Sequence, residues 1–251
     1  MKLMADFPVA IFLPIFPLSA LFVLLFSRIN DVRARAILVL IWPQIGLILA
    51  SFAVPSRALR IWALLTALLY AWRALSVQEL DRWIAFIAVS SWSLLWIGWG
   101  PLHNLANLRE LALGFSVSLL APMLVSALLQ RRVGVAYAGL NHGLPDIAPR
   151  LAGFLVVSIF AAVATPPFPS FFALLGVLQH ADLGMAVGIC AVWLLWSWTA
   201  LRLLEGFITK SWTLPRRITD LDRRSCLAIA LGLVVICGLA LGLSDASLAG
   251  G

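Results

Sequence analysis

The residues of this sequence that could carry protons or ions stand at the ends of apolar segments. Glu79, Asp81 and Arg82 come directly before one such segment, and Glu110 opens the next one. Ionisable groups beside a membrane-spanning helix can line a path for protons or cations, or couple one helix to another. The middle of each apolar segment lacks charged residues. These four residues are therefore the first candidates for an ion path or for coupling.

A proline-rich interruption is the second feature that could form an ion-binding site. The stretch Thr165-Pro166-Pro167-Phe168-Pro169 stands inside the apolar run 151–178. Each proline lacks an N–H and restricts the residue before it, so a helix must break here. Broken membrane helices form ion sites in some transporters and are tolerated wherever protein covers the break. Both interpretations stay open, and Thr165, Pro166, Pro167 and Pro169 join the candidates.

The composition predicts that these residues lie on or between membrane-spanning helices. The chain has 251 residues, of which 63% are hydrophobic and 12% charged, with a mean hydropathy of +1.03. This excludes a soluble globular domain and a disordered chain. A membrane span takes about 20 apolar residues, and in lipid a helix satisfies its own backbone hydrogen bonds. We predict an all-α, polytopic membrane helix bundle in which about eight transmembrane helices form a single domain over residues 1–251. The predicted segments are 8–26, 36–54, 58–75, 83–100, 108–129, 151–178, 185–205 and 226–243.

The basic residues predict how the helices are oriented. Eight spans place 14 of the 18 Lys and Arg residues in the loops of one side and 4 on the other side. Because cytoplasmic loops carry the excess of Lys and Arg, the side with 14 is the cytoplasmic one. Both termini are then non-cytoplasmic, and we expect the membrane to be a bacterial inner membrane.

One loop on the basic side is a candidate docking surface. Loop 206–224 concentrates positive charge in Lys210, Arg216, Arg217, Arg223 and Arg224. It could hold a soluble partner or a neighbouring subunit, but contact with anionic membrane lipid explains the same charges more simply. The high isoelectric point of 10.4 does not predict nucleic-acid binding, because basic and aromatic residues do not alternate along a surface.

The sequence predicts no catalytic residue, metal site or cofactor. The three histidines fall in predicted loops and the three cysteines in apolar runs, and no His, Cys, Asp and Glu residues have metal-ligand spacing. The eleven tryptophans predict anchoring at the membrane interface and packing within the bundle. Trp92, Trp96 and Trp99 share one helical face, so an aromatic wall around a quinone or lipid cavity is the alternative.

Three stretches, in order along residues 59–210, carry a resemblance to a known family. They are Glu79–Ser90, which opens a span; the Gly-Leu loop His142–Pro149; and the helix break Ala164–Leu174. This stretch, about three fifths of the chain, resembles the second half of the antiporter-like proton-channel subunits of respiratory complex I and of Mrp-type sodium/proton antiporters. Residues 1–55 then form an N-terminal helix pair and 226–243 a C-terminal helix.

The departures from that family concern the proton path. Phe115 stands where the family has a histidine, Leu174 where it has Lys or Glu, and Asp81 where it has a basic residue. The family's intramembrane Lys and Glu of the first repeat are missing. The resemblance implies a shortened, divergent relative that keeps the scaffold and lacks the family's proton-conducting residues.

These observations leave three hypotheses for function. The first is an accessory, scaffolding or coupling subunit of a proton-conducting complex-I-like or Mrp-like assembly. Such a subunit would be unable to pump alone, and its partners would be other antiporter-like membrane subunits and a soluble catalytic subunit. The second is an independent proton or cation conductor. The third is an intramembrane enzyme, for which only His142 and Asp146 offer clustered polar chemistry.

Overall fold

The computed structural model is a bundle of α-helices. It describes residues 9–49, 55–99, 105–134, 136–138, 143–179, 181–209 and 220–249, and no strand occurs among them. A helical turn at residues 9–12 comes first. The helices that follow are α1 (Ser19–Arg28), α2 (Val32–Leu49), α3 (Arg57–Ala74), α4 (Leu80–Gly98), α5 (Leu105–Val133), α6 (Leu144–Ile147), α7 (Pro149–Ala162), α8 (Pro169–Gln179), α9 (Leu183–Ile208) and α10 (Arg223–Ala249).

These helices confirm the predicted all-α membrane bundle. Each of the eight predicted segments overlaps a helix or a broken pair of helices. Among the described residues, α2, α4, α5 and α9 are each long and apolar enough to cross a membrane. The total of eight crossings stays a prediction. One boundary matters for the site: α2 begins at Val32, four residues before the predicted segment, and therefore includes Arg35.

Helix α4 lies at the centre of the bundle. Every residue from Leu80 to Gly98 is buried except Arg82. The helix packs against α1, α3, α5, α8 and α9. Its small residues, such as Ala85, Ala88 and Ser90, let neighbouring backbones approach closely. A helix that is apolar all round belongs in such a central position.

Two segments of the bundle are broken helices. The predicted break separates α7 from α8, and Ala164 within it has a φ of 55°. A second break, at residues 13–18, separates the turn at 9–12 from α1. The prediction of one unbroken span over 8–26 did not include this break, although Pro14 and Pro17 indicate it as clearly as the prolines between α7 and α8 indicate theirs.

Four tryptophans of α4 and α9 pack inside the bundle. Trp83, Trp92, Trp96 and Trp196 are at most 1% exposed. Their indole N–H groups donate to Thr199, to Ser116, to the carbonyl of Leu13 and to Ser90, at 2.9–3.2 Å. A buried indole needs such an acceptor. This supports the predicted packing role for these four rings.

Candidate functional site: a buried ion pair and a covered helix break

A buried ion pair joins the first turns of two helices. The Arg35 guanidinium in α2 donates to the Asp81 carboxylate in α4, and the two side chains are 10% and 9% exposed. Arg35 also donates to the carbonyl of Ile29, and its guanidinium carbon lies 5.1 Å from the ring centroid of Phe26. Among the described residues, Arg35 and Asp81 are the only charged residues that are buried.

A third helix completes the environment of Asp81. Ser126 of α5 donates its hydroxyl to one carboxylate oxygen. Gln130, one turn further along α5, donates its amide to the other oxygen at 2.6 Å. Both oxygens therefore have partners, and Arg35 balances the charge. Buried ionic groups need this degree of pairing to be tolerated.

Backbone pairing fixes the point where α4 begins. The amide of Leu80 donates to the carbonyl of Ala136 at 3.0 Å, and the amide of Ala138 donates to the carbonyl of Gln78 at 2.8 Å. The chain after α5 therefore lies alongside the residues that start α4. Asp81 follows in the first helical turn, where the helix dipole favours a negative charge.

The other predicted acidic residues lie elsewhere. Glu79 is partly exposed, and its carboxylate lies 3.9 Å from the Nε of exposed Arg82. Glu110 is half-buried near the start of α5 and forms no ion pair with another described residue. At 1.5 Å per residue, it is about 24 Å along that helix from Ser126. The structure thus pairs Glu79 with Arg82 on the surface and Asp81 with Arg35 in the interior, and it leaves Glu110 near the opposite end of the bundle.

Protein donors occupy the carbonyls that the α7–α8 break exposes. The Thr165 hydroxyl donates to the carbonyl of Phe160 at 2.9 Å, and the Ser170 hydroxyl donates to that of Ala161 at 2.6 Å. The indole of Trp193 in α9 donates to the carbonyl of Ala164 at 3.1 Å. These bonds favour the architectural interpretation of the break. The ion-site interpretation stays a prediction.

The break packs against the middle of α5. The amide of Ser170 donates to the Ser118 hydroxyl at 3.0 Å, and Ser118 in turn donates to the carbonyl of Gly114. A Cβ at Gly114 would lie only 3.0 Å from the carbonyl oxygen of Pro169, so a glycine allows this close approach of the two backbones. Pro169 is buried, whereas Pro166 and Pro167 are exposed on the outer side.

Apolar side chains fill the two positions where the family resemblance implies ionisable ones. Phe115 is 2% exposed and packs edge-to-face with Trp196 at a centroid distance of 6.3 Å. Leu174 is 5% exposed in α8. The middle of the bundle therefore has packed hydrocarbon at both positions.

The candidate docking loop is described only in part. Lys210, Arg216 and Arg217 lie outside the described residues. Arg223 and Arg224 are exposed in the first turn of α10.

Three members of the buried cluster were not predicted from the sequence: Arg35, Ser126 and Gln130. Arg35 was counted only among the basic loop residues. A charged residue within the first turn of an apolar helix is a signal for a buried partner. The sequence offered no means to choose that partner, because Arg35 and Asp81 are 46 residues apart.

The comparisons with known proteins identify the fold. No protein-family model and no curated protein matches the sequence. The structure is similar to a chain of respiratory complex I from Thermus thermophilus with bound NADH, with a TM-score of 0.79, 21% identity, and coverage of 94% of this chain and 53% of that one. It is similar to a chain of the membrane-bound sulfane sulfur reductase, an archaeal respiratory membrane complex, with a TM-score of 0.80, 16% identity, and coverage of 94% and 51%. It is also similar to a chain of the Mrp complex from a Dietzia species, with a TM-score of 0.75, 16% identity, and coverage of 94% and 55%.

The class of protein follows from these matches. The chain has the fold of the antiporter-like subunits of such complexes, which confirms the resemblance at the level of fold. It is an integral membrane protein that spans about half the length of the chains it matches. The likeness extends over 94% of the chain and therefore beyond residues 59–210, the stretch in which the sequence motifs occur.

Proposed function

We propose that this protein is an accessory membrane subunit of a proton-conducting assembly of the complex-I or Mrp type. It acts as a scaffold or coupling module and does not pump by itself. The fold, shared with chains of three such membrane complexes, supports membership of an assembly. At these identities a shared fold does not carry function with it, so the role is argued from the residues.

The single observation that carries the scaffold role is the position of the buried charges. A proton path through a membrane needs titratable groups along its length. Here the buried charges of the described residues are Arg35 and Asp81, which neutralise each other at one end of the bundle. The central positions hold Phe115 and Leu174 instead.

Helix α5 gives the coupling role its physical basis. It contacts the ion pair through Ser126 and the helix break through Ser118. These two serines are about 12 Å apart along the helix. A displacement of the break can therefore reach the ion pair along one continuous helix, which contains Pro122 between the two serines.

The cellular setting belongs to the same proposal. The membrane is a bacterial inner membrane, both termini face away from the cytoplasm, and residues 1–55, 59–210 and 226–243 are parts of one transmembrane domain. The partners are other antiporter-like membrane subunits and a soluble catalytic subunit. The basic loop with Lys210, Arg216 and Arg217 docks one of them.

Purification from the native membrane tests the assembly. The tagged full chain is extracted in a gentle detergent, and co-purifying proteins are identified by mass spectrometry. We expect stoichiometric recovery of a longer antiporter-like subunit. Arg216→Glu with Arg217→Glu should lower the recovery of the docked partner, while the matched pair Arg28→Glu and Arg33→Glu should leave it unchanged. Recovery of the tagged chain alone would contradict the proposal.

Reconstitution of the pure protein tests the claim that it does not conduct. Proteoliposomes with an imposed pH gradient should lose that gradient no faster than empty liposomes, because the middle of the bundle lacks the family's ionisable residues. Dissipation that Glu79→Gln slows would support the independent conductor instead. Protease digestion checks that the protein is correctly inserted, so that the absence of proton flux cannot result from misfolded protein.

A further inference from the structure

A groove on the outer surface of the bundle lies between α7 and α10. Its volume is about 730 Å³, and apolar side chains line it on both helices. Gly153 has no side chain to fill the groove on the α7 side, and the space next to its Cα is open, because a Cβ there would meet no atom within 4 Å. The other apolar lining residues include Phe154, Val157, Leu227, Ala230 and Leu233.

Positive charge is confined to one end of this groove. Arg150 and Arg223 both line it, and each stands in the first turn of its helix. Arg223 is exposed and has no partner among the described residues. The Arg150 side chain is 50% exposed and donates one N–H to the carbonyl of Leu221 at 2.8 Å.

The nearby carboxylate of Asp220 has other partners. Its oxygens accept from the backbone amides of Arg150, Leu151 and Leu221 at 2.7–3.4 Å, so that it caps the start of α7. The Nε of Arg150 lies 3.9 Å from the same carboxylate, at the edge of an ion pair. The outer face of the Arg150 guanidinium and all of Arg223 therefore remain for an external anion.

We propose that this groove binds one anionic phospholipid. The phosphate lies between Arg150 and Arg223, and an acyl chain lies along Val157, Leu227 and Leu233. Charge complementarity supports this occupant, because cations mark one end and hydrocarbon lines the rest. Length supports it as well. From Arg223 to Leu233 the helix rises about 15 Å, half of a hydrocarbon core of about 30 Å and thus the depth of one leaflet.

Lipid retention measured by native mass spectrometry tests this site. The purified full chain is mixed with equal amounts of dioleoylphosphatidylglycerol and dioleoylphosphatidylcholine, and the ratio of retained lipids is recorded. We expect retention of one phosphatidylglycerol. Arg223→Gln should lower the retained ratio about fivefold, the value for one basic residue at a lipid surface. The matched control Arg131→Gln, an exposed arginine at the same end of the bundle, should leave it unchanged.

A second pair of variants tests the acyl-chain portion. Gly153→Leu fills the groove and should abolish retention of both lipids. Gly184→Leu is the matched control, because its Cβ also meets nothing within 4 Å but lies away from the groove. Equal retention of both lipids by the wild type, or an unchanged ratio in Arg223→Gln, would overturn the proposal. The proposal would also be overturned if a photocrosslinker placed at Val157 reacted with a polypeptide rather than with lipid in native membranes.

Discussion

At the scale of single residues, the Arg35–Asp81 pair is the feature that most needs a physical account. Two buried charges lose their hydration, and in an apolar interior that cost is recovered only with good geometry and further hydrogen bonds. Asp81 has these bonds from Ser126 and Gln130, and Arg35 has one to the Ile29 carbonyl. The pair therefore ties α2, α4 and α5 together at one end of the bundle.

We predict that removing one member of this pair is more harmful than removing both. Arg35→Met or Asp81→Leu alone leaves an uncompensated buried charge and should cost about 3–5 kcal/mol of unfolding free energy. The double variant should recover much of this loss. The free energies of unfolding of the wild type, the two single variants and the double variant form a double-mutant cycle. They are measured in mixed micelles by circular dichroism.

The exposed pair Glu79–Arg82 is the matched control for that cycle. Its side chains are 45% and 59% exposed, so Glu79→Gln should change stability by less than about 1 kcal/mol. If the single variants at Arg35 and Asp81 behaved like this control, the buried pair would have no structural role.

At the scale of elements, the two broken helices share one construction. In each, an indole from a neighbouring helix donates to a carbonyl within the break: Trp62 to Phe16 at 2.8 Å, and Trp193 to Ala164 at 3.1 Å. The first or second residue of the next helix is a serine, Ser19 in α1 and Ser170 in α8, and its hydroxyl has a protein partner. Both breaks therefore meet the rule that irregular backbone at membrane depth must be covered.

We predict that Trp193→Phe destabilises the α7–α8 break. The substitution keeps most of the aromatic packing but removes the N–H, so the Ala164 carbonyl is left without this donor at a cost of about 1–3 kcal/mol. Hydrogen exchange measured by mass spectrometry should show faster exchange over peptides spanning 160–172. Trp72→Phe is the control, since that side chain is 65% exposed. Equal exchange in the two variants would exclude a role for the indole N–H.

At the scale of the whole molecule, the uneven distribution of basic residues and the order of the helices predict one topology. Eight crossings place the start of α2 and the end of α3 on the basic side, and the end of α2 and the start of α3 on the other. The excess of Lys and Arg assigns the basic side to the cytoplasm.

Cysteine accessibility tests this orientation. In a background with all three native cysteines replaced by alanine, Ser27→Cys and Ser76→Cys should react with an impermeant maleimide only from the cytoplasmic side. Ser56→Cys should react only from the opposite side. All three positions are exposed. Labelling of Ser27→Cys and Ser56→Cys from the same face would contradict the eight-span topology.

The amino-acid sequence alone is enough to predict the fold class and the approximate positions of the helices. An apolar backbone in lipid has to satisfy its own hydrogen bonds, so long apolar runs predict helices without knowledge of their neighbours. Local rules also located the α7–α8 break, because proline acts on its own helix. The same rule could have located the break at Pro14 and Pro17.

Which distant residues meet depends instead on how the helices pack in three dimensions. Packing buries Arg35 against Asp81 and adds hydrogen bonds to Asp81 from Ser126 and Gln130. It also places Arg150 and Arg223 along one groove. Periodicity along one helix cannot assign such pairs, since each depends on how two helices pack. The physical reason is that helix formation depends on local chain chemistry, whereas burial and pairing of a charge depend on which helices surround it.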